Sequence, residues 1–153
     1  MPAVRLLAVS RPESYSASLR ARWVQAGEFR LHFRDASVED ALPDPGARPC
    51  CALGFVLPKR QCRHAARRNL IRRVAREALR DLLRKREVAQ DASAAIPTPI
   101  PTPIPVLVLR LQSRLDAQWV SAQSPALRRY LRQTMSQLLA DWERARSRAR
   151  ASR

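Results

Sequence analysis

Arginine is the residue type on which any chemistry of this chain has to rest. From His64 to Arg80 the sequence reads His-Ala-Ala-Arg-Arg-Asn-Leu-Ile-Arg-Arg-Val-Ala-Arg-Glu-Ala-Leu-Arg. At about 100° per residue, Ile71, Val74, Ala75, Ala78 and Leu82 gather on one side of a helix. Asn69, Arg72, Arg73, Arg76 and Arg80 gather on the other, within an arc of roughly 100°. Arg72, Arg76 and Arg80 stand at i, i+4 and i+8, where like charges destabilise an isolated helix by roughly 0.2–0.5 kcal/mol per pair. Glu77 points away from Arg76 and relieves only Arg73 and Arg80. A one-signed face of this kind makes physical sense when a polyanion neutralises it. Guanidinium forks match phosphate oxygens bidentately, and Asn69 adds a neutral donor and acceptor for phosphate, a 2′-hydroxyl or a base edge. The expected contact surface is therefore this helix face, from about Arg67 to Arg86.

Little else in the chain offers reactive chemistry. It contains no P-loop, no GxSxG and no HExxH pattern, and neither His32 nor His64 has a sequence-local partner that suggests a triad or metal site. Cys50, Cys51 and Cys62 are odd in number and lack zinc-type spacing, so they read as small buried or idle thiols in a reducing cytosol. Composition agrees with a polyanion partner. The 153 residues hold 29 Lys+Arg against 13 Asp+Glu, a net charge of +16, with a 46% hydrophobic fraction that suffices for a core. Lys59 and Lys85 are the only lysines. No apolar run is long enough to span a bilayer, and Met1–Arg11, broken by Arg5, makes a poor signal peptide. A cytoplasmic protein with no membrane partner is the expectation.

The elements that must position the arginine helix can be read from the pattern. Ser10 suits an N-cap with Glu13 completing a capping box, opening a short helix that carries Tyr15 and Leu19 at i, i+4. Trp23 and Val24 suggest a short strand before Gly27. From Glu28 to Asp35 the alternation puts Phe29, Leu31 and Phe33 on one face and Arg30, His32 and Arg34 on the other, as in a strand. Ala41–Pro49 is a turn or loop, Cys51–Leu57 a buried strand ended by Pro58, and Lys59–His64 a basic loop leading into the arginine helix. Ile96–Pro105 is a tandem Ile-Pro-Thr-Pro repeat, in which alternate prolines favour an extended rod. Val106–Leu111 is a further strand. Ser124-Pro125 then opens a last helix with Ser as cap and Pro at N1, and Leu127, Tyr130, Leu131, Thr134, Met135, Leu138, Leu139 and Trp142 form its core stripe. The chain reads as one RNA-binding domain over 1–153, with a Pro-rich insertion at 96–105 and a frayed basic tail at 144–153.

The run Gly54-Phe55-Val56-Leu57-Pro58-Lys59-Arg60, followed by Arg68-Asn69-Leu70-Ile71-Arg72-Arg73, Arg76-Glu77 and Arg80, resembles the bacterial ribonuclease P protein component. Arg68, Asn69, Ile71, Arg73, Arg76, Glu77 and Arg80 match that family's RNR-motif helix. Arg72 stands where Lys is usual, Leu70 replaces an Arg, and Pro58 replaces a small residue. The wheel sets Leu70 beside the apolar side, where it packs instead of contacting RNA. The resemblance implies a compact α+β fold: a mixed sheet of about four strands, an N-terminal helix, the central basic helix and a C-terminal helix, with a left-handed βαβ crossover of the ribosomal protein S5 domain 2 type. It implies the non-catalytic protein subunit of a Mg²⁺-dependent endoribonuclease whose active site is RNA, which removes the 5′ leader from precursor tRNA. The Mg²⁺ is then held mainly by the RNA subunit. The implied contacts to the catalytic RNA are Lys59, Arg60, Arg67, Arg68, Asn69, Arg72, Arg73, Arg76 and Arg80. Those to the leader, in a cleft between first helix and sheet, are Tyr15, Leu19, Arg30, His32 and Arg34. A structural ribosomal protein is the alternative. A DNA regulator is disfavoured, because the segment before the arginine helix reads as strand rather than as a helix-turn-helix partner.

Overall fold

The computed structural model describes residues 6–36, 51–91, 104–115, 119 and 124–152. Among the described residues, five strands and three helices follow one another as β1 (Leu6–Ala8), α1 (Pro12–Leu19), β2 (Arg22–Ala26), β3 (Phe29–Ala36), β4 (Cys51–Val56), α2 (Ala65–Asp91), β5 (Ile104–Leu111) and α3 (Pro125–Ala151). The fold is α+β, with one more strand than expected. The sheet order is β1-β4-β5-β3-β2. β1, β4 and β5 run parallel, and β3 and β2 are antiparallel additions. The connection from β4 through α2 to its parallel neighbour β5 is the expected βαβ unit.

Strand alternation sends successive side chains to opposite faces, and here the two faces differ in kind. Phe29, Leu31, Cys51, Leu53, Leu107, Leu109 and Leu111 face α2 and α3, and together they form the main core. The helices contribute Ile71, Val74, Leu79 and Leu83 from α2 and Leu127, Leu131, Leu138 and Trp142 from α3. On α2 the buried row is Ile71, Ala75, Leu79 and Leu83, at strict i, i+4 steps. Such a row turns by about 40° at each step, so the buried side drifts around the helix, and Ala78 and Leu82 are only partly covered. Leu70 is 3% exposed and belongs to this core, as its wheel position required.

The two long helices run in the same direction. Arg67 near the start of α2 donates to the Trp119 carbonyl ahead of α3, and Arg86 near the end of α2 meets Glu143 near the end of α3. α3 lies along β3 and is pinned at both ends. Tyr130 donates to Glu28 beside the Gly27 turn, and Arg146 reaches Asp35 at 3.5 Å. The lengths match: residues 28 to 35 span about 23 Å of strand and residues 130 to 146 about 24 Å of helix.

Several boundaries differ from the sequence reading. α1 has Arg11 at its N-cap with Pro12 following and no side-chain cap bond, so the Ser10–Glu13 capping box does not form. β1 lies in the segment weighed only as a signal peptide. β5 starts at Ile104, and Pro105 pairs in register with Asp35. The Pro-rich segment thus gives its last two residues to the sheet, tolerated because proline's missing N–H matters least at a strand's start. The rest of that repeat, the Ala41–Pro49 loop and Cys50 lie outside the described residues. Ser124 caps α3 through Leu127 N at 3.1 Å, as expected. The tail is not frayed, because α3 continues as helix to Ala151. Cys51 and Cys62 are both buried, and burial pushes the Cys62 thiol above its ordinary pKa.

Candidate nucleic-acid interface

The ridge on α2 forms because its charged row winds in step with the buried one. Arg72, Arg76, Arg80 and Arg84 sit one residue after Ile71, Ala75, Leu79 and Leu83, so the apolar row held on the sheet keeps the arginine row beside it throughout. Asn69, Arg73, Arg76 and Arg80 are exposed and Arg72 is half-exposed. Asn69 accepts from Arg72 at 3.1 Å, and Arg76 lies 5.3 Å from the centre of the Phe55 ring on β4, close enough for a cation–π contact. Among the described residues, no carboxylate lies within 4.0 Å of Arg72, Arg73, Arg76 or Arg80. The charge is held in place without being neutralised.

Two residues at the start of the helix have other tasks. Arg67 is 9% exposed, and its guanidinium is bound to the Trp119 carbonyl. It is a structural anchor and not an open RNA contact, because residue 67 begins the buried row that continues with Ile71. Arg68 is half-buried and donates to the carbonyls of Cys62 at 2.7 Å and Arg63 at 2.8 Å. It ties down the basic loop and keeps its charge, since carbonyls do not cancel it. Lys59 and Arg60 are exposed on that loop.

The second surface is the sheet face that carries α1. Strand registers place its side chains in rows: Gln25, Arg30, Arg110 and Val56; then Trp23, His32, Val108 and Gly54; then Arg34, Val106, Ala52 and Leu7. α1 lies over the last two rows. Tyr15 rests on Gly54, where an added Cβ would come 2.8 Å from the ring carbon Cε1. The glycine before Phe55 therefore has a physical cause: only a residue without a side chain lets the Tyr15 ring lie against the sheet. Ser18, fully buried, accepts from Arg34 Nε at 3.1 Å.

The five residues expected to line this cleft separate into different positions. Tyr15 lies between α1 and the sheet, against Gly54, with Leu19 half-buried one turn further on. Arg30 is half-exposed, hydrogen-bonded to Gln25 at 2.9 Å and 4.0 Å from the Trp23 ring centre. Arg34 lies under α1 and ties that helix to the sheet. His32 is 2% exposed, so it lies beneath the cleft and does not line its open surface. Burial first, then the charges of Arg110 and Arg30, hold its imidazole below the usual pKa. Neither ring nitrogen has a hydrogen-bond partner among the described residues.

Two members of this surface escaped the sequence reading. Arg110 sits directly across from Arg30, an arrangement that costs stability unless an anion relieves it. Trp23, 48% exposed, is an aromatic side chain at the same end with Arg30 stacked on its ring. The signals were present, in a basic residue interrupting an apolar strand and an aromatic on an edge strand. What was missing was the β3–β5 register.

A family model described as Ribonuclease P matches residues 8–96, which is more than half of the chain. The chain belongs to that family. The matched ribonuclease P segment contains α1, the glycine strand β4 and the arginine ridge, and ends before β5 and α3. The chain is also 37% identical over 68 residues to the Ribonuclease P protein component of Bordetella petrii, a stretch that covers 44% of this chain and 52% of that protein. It thus spans about half the length of that curated relative. No solved structure matches.

Proposed function

We propose that this chain is the protein subunit of a ribonuclease P ribonucleoprotein, binding the catalytic RNA along α2 and the 5′ leader of precursor tRNA in the cleft between α1 and the sheet. The observation that carries the reading is the pairing of two unneutralised basic surfaces on one small fold. One is the ridge of Arg72, Arg73, Arg76 and Arg80, and the other the cleft floor of Arg30 and Arg110 flanked by Tyr15 and Trp23. A convex helix face suits the backbone of a folded RNA. A groove with aromatic side chains and paired arginines suits a single strand, whose bases stack while its phosphates track the charge.

In this reading the chain binds and orients RNA and contributes no reacting group. Mg²⁺ held mainly by RNA phosphates supplies the hydrolytic chemistry. Among the described residues, no three His, Cys, Asp or Glu side chains come together as a metal-ligand set. The protein lowers the Mg²⁺ requirement by placing guanidiniums where RNA strands would otherwise repel one another. No helix among the described residues is long and apolar enough to cross a membrane, and a single cytoplasmic RNA-binding domain is the corresponding proposal.

The test is reconstitution. Mixed with its cognate catalytic RNA, the chain accelerates precursor-tRNA cleavage at low Mg²⁺ and loses its advantage as Mg²⁺ rises. Tight binding to structured RNA without acceleration would point to a structural ribosomal role instead.

A further inference from the structure

A separate concentration of arginines lies at the far ends of α2 and α3, beyond the ridge and the cleft. Arg86, Ala89, Glu143, Arg146, Ser147 and Arg150 line an open pocket of about 250 Å³ between the two helices. Two of its three arginines are held in place. Arg86 donates to Glu143 Oε1 through Nε at 2.7 Å and Nη2 at 2.6 Å. Arg146 pairs with Asp35 at 3.5 Å, with its side chain only 15% exposed. Both guanidiniums lie over the ring of the buried Trp142, at 5.2 Å and 5.7 Å. Arg150, one turn beyond Arg146, is exposed and has no carboxylate within 4.0 Å among the described residues.

The charges do not balance. Three guanidiniums against Glu143 and Asp35 leave one positive charge among these described groups. Burial first, with Asp35 opposing and Arg150 and Arg86 adding to it, holds the Arg146 pKa below arginine's ordinary value. The arginines crowd one another around a space that a single anion would relieve. A phosphodiester fits the chemistry, because its two free oxygens accept from guanidinium forks. A base does not, since no aromatic side chain among the described residues lines the pocket.

We propose that the pocket formed by Arg86, Arg146 and Arg150 is a second phosphate site, gripping one backbone phosphodiester of the RNA that lies along α2. The proposal rests on the reading of the ridge as an RNA surface. Arg86 stands 14 residues after Arg72, about 21 Å along the same helix, but on the side of the buried row that faces α3, so the pocket takes its phosphodiester beyond the ridge, where the RNA passes the end of α2. Two of the pocket's arginines come from α3, beyond the segment matched to the ribonuclease P family. The site is therefore a reason for this chain to carry its last helix as far as Ala151. Arg148 and Arg150 also suit the negative end of the α3 dipole, but that role alone would affect folding and leave RNA binding untouched.

The experiment measures binding of the full chain to its catalytic RNA as a function of KCl, beside the melting temperature without RNA. Arg150→Ala is the variant of choice because Arg150 has no hydrogen bond or ion pair to another side chain among the described residues. Its expected result is a salt slope shallower by roughly 0.7–0.9, the share of one phosphate, with Arg150→Lys restoring most of it and the melting temperature little changed. A wild-type slope for Arg150→Ala, with or without a lower melting temperature, overturns the pocket. The Arg72→Ala/Arg76→Ala variant run alongside keeps the two readings apart. A flattened slope there and an unchanged one for Arg150→Ala would leave the ridge standing and remove the pocket. A wild-type chain that fails to bind the RNA would remove both.

Discussion

Replacing Arg72 and Arg76 together by alanine separates an RNA-binding ridge from a merely solvated helix face. Arg76 is exposed and Arg72 partly so, and neither has a carboxylate within 4.0 Å among the described residues. If each meets one phosphate, the slope of log K against log salt becomes shallower by roughly 0.7–0.9 per residue, or about 1.4–1.8 for the pair. Between 50 and 200 mM KCl the wild type then loses about ten-fold more affinity than the variant by the same relation. The effect on folding has the opposite sign. Alanine is the better helix former, and removing the i, i+4 repulsion contributes roughly 0.2–0.5 kcal/mol; this offsets the lost Arg76–Phe55 contact, worth about 0.5–1 kcal/mol, so the variant melts close to wild type. Arg67→Ala is the internal control. It removes the partner of the Trp119 carbonyl in a buried setting, so it costs about 1–3 kcal/mol of stability and leaves the salt slope nearly intact. Filter binding over the salt range, with thermal melts of the free proteins, reads both quantities. An unchanged slope for the double variant, or equal slope losses for Arg67→Ala and the double variant, would refute the reasoning.

Three further outcomes follow from the cleft. Gly54→Ala places a methyl group within the Tyr15 ring, which costs about 1–3 kcal/mol if the ring is held and less if α1 lifts; urea unfolding measures it, and a loss of leader binding accompanies it. Tyr15→Ala weakens precursor tRNA binding by about 1–3 kcal/mol through the lost base stack and leaves mature tRNA binding little changed, whereas equal losses for both would take Tyr15 out of the leader site. His32 has a folded pKa below its ordinary 6.5, so the unfolded chain takes up the proton first as the pH falls. Its contribution is complete above about pH 6.5 and is lost as the pH drops toward the folded value. Urea midpoints at pH 7.5 and 5.5 should diverge in the wild type and draw together in His32→Gln.

What the sequence revealed and what it hid divide by the range of the interaction. α2 and α3 were legible because their apolar residues repeat within the helix, and Ser124-Pro125 announces its own helix start. β3 and β4 were legible from alternation and from Pro58. The Leu70 departure from the RNR pattern could be assigned to packing from the wheel alone. What depends on pairing was not legible. β1 is three residues long and is a strand only because β4 lies beside it. Ile104 and Pro105 look like the end of a proline rod until β3 supplies Asp35 and Ala36 as partners. The same limit governs the site. Arg67 and Arg68 stand side by side in the motif, yet one is buried and the other is not, because the buried row of α2 begins at Arg67.

That contrast bears on how the two surfaces work together. The cleft floor is assembled by register, with Arg30 opposite Arg110 and Gly54 opposite Val108, so its charge spacing is set by the sheet and cannot relax when no RNA is present. The ridge is anchored by the i, i+4 row that packs α2 on the other face of that sheet. Both surfaces are therefore fixed to a single rigid element, β4–β5, which carries Gly54 on one side and Phe55, under Arg76, on the other. In the proposed function, a strand that enters the cleft meets a site whose position relative to the ridge is already determined, and the ordering cost is borne mainly by the RNA. Loosening the β4–β5 core beneath the ridge should then weaken leader and catalytic-RNA binding together, although no RNA contact has been removed. Leu107→Ala is suited to this purpose, since Leu107 is fully buried at the centre of the core and its truncation costs about 2–5 kcal/mol. Loss of only one of the two binding activities in that variant would mean that the surfaces are positioned independently.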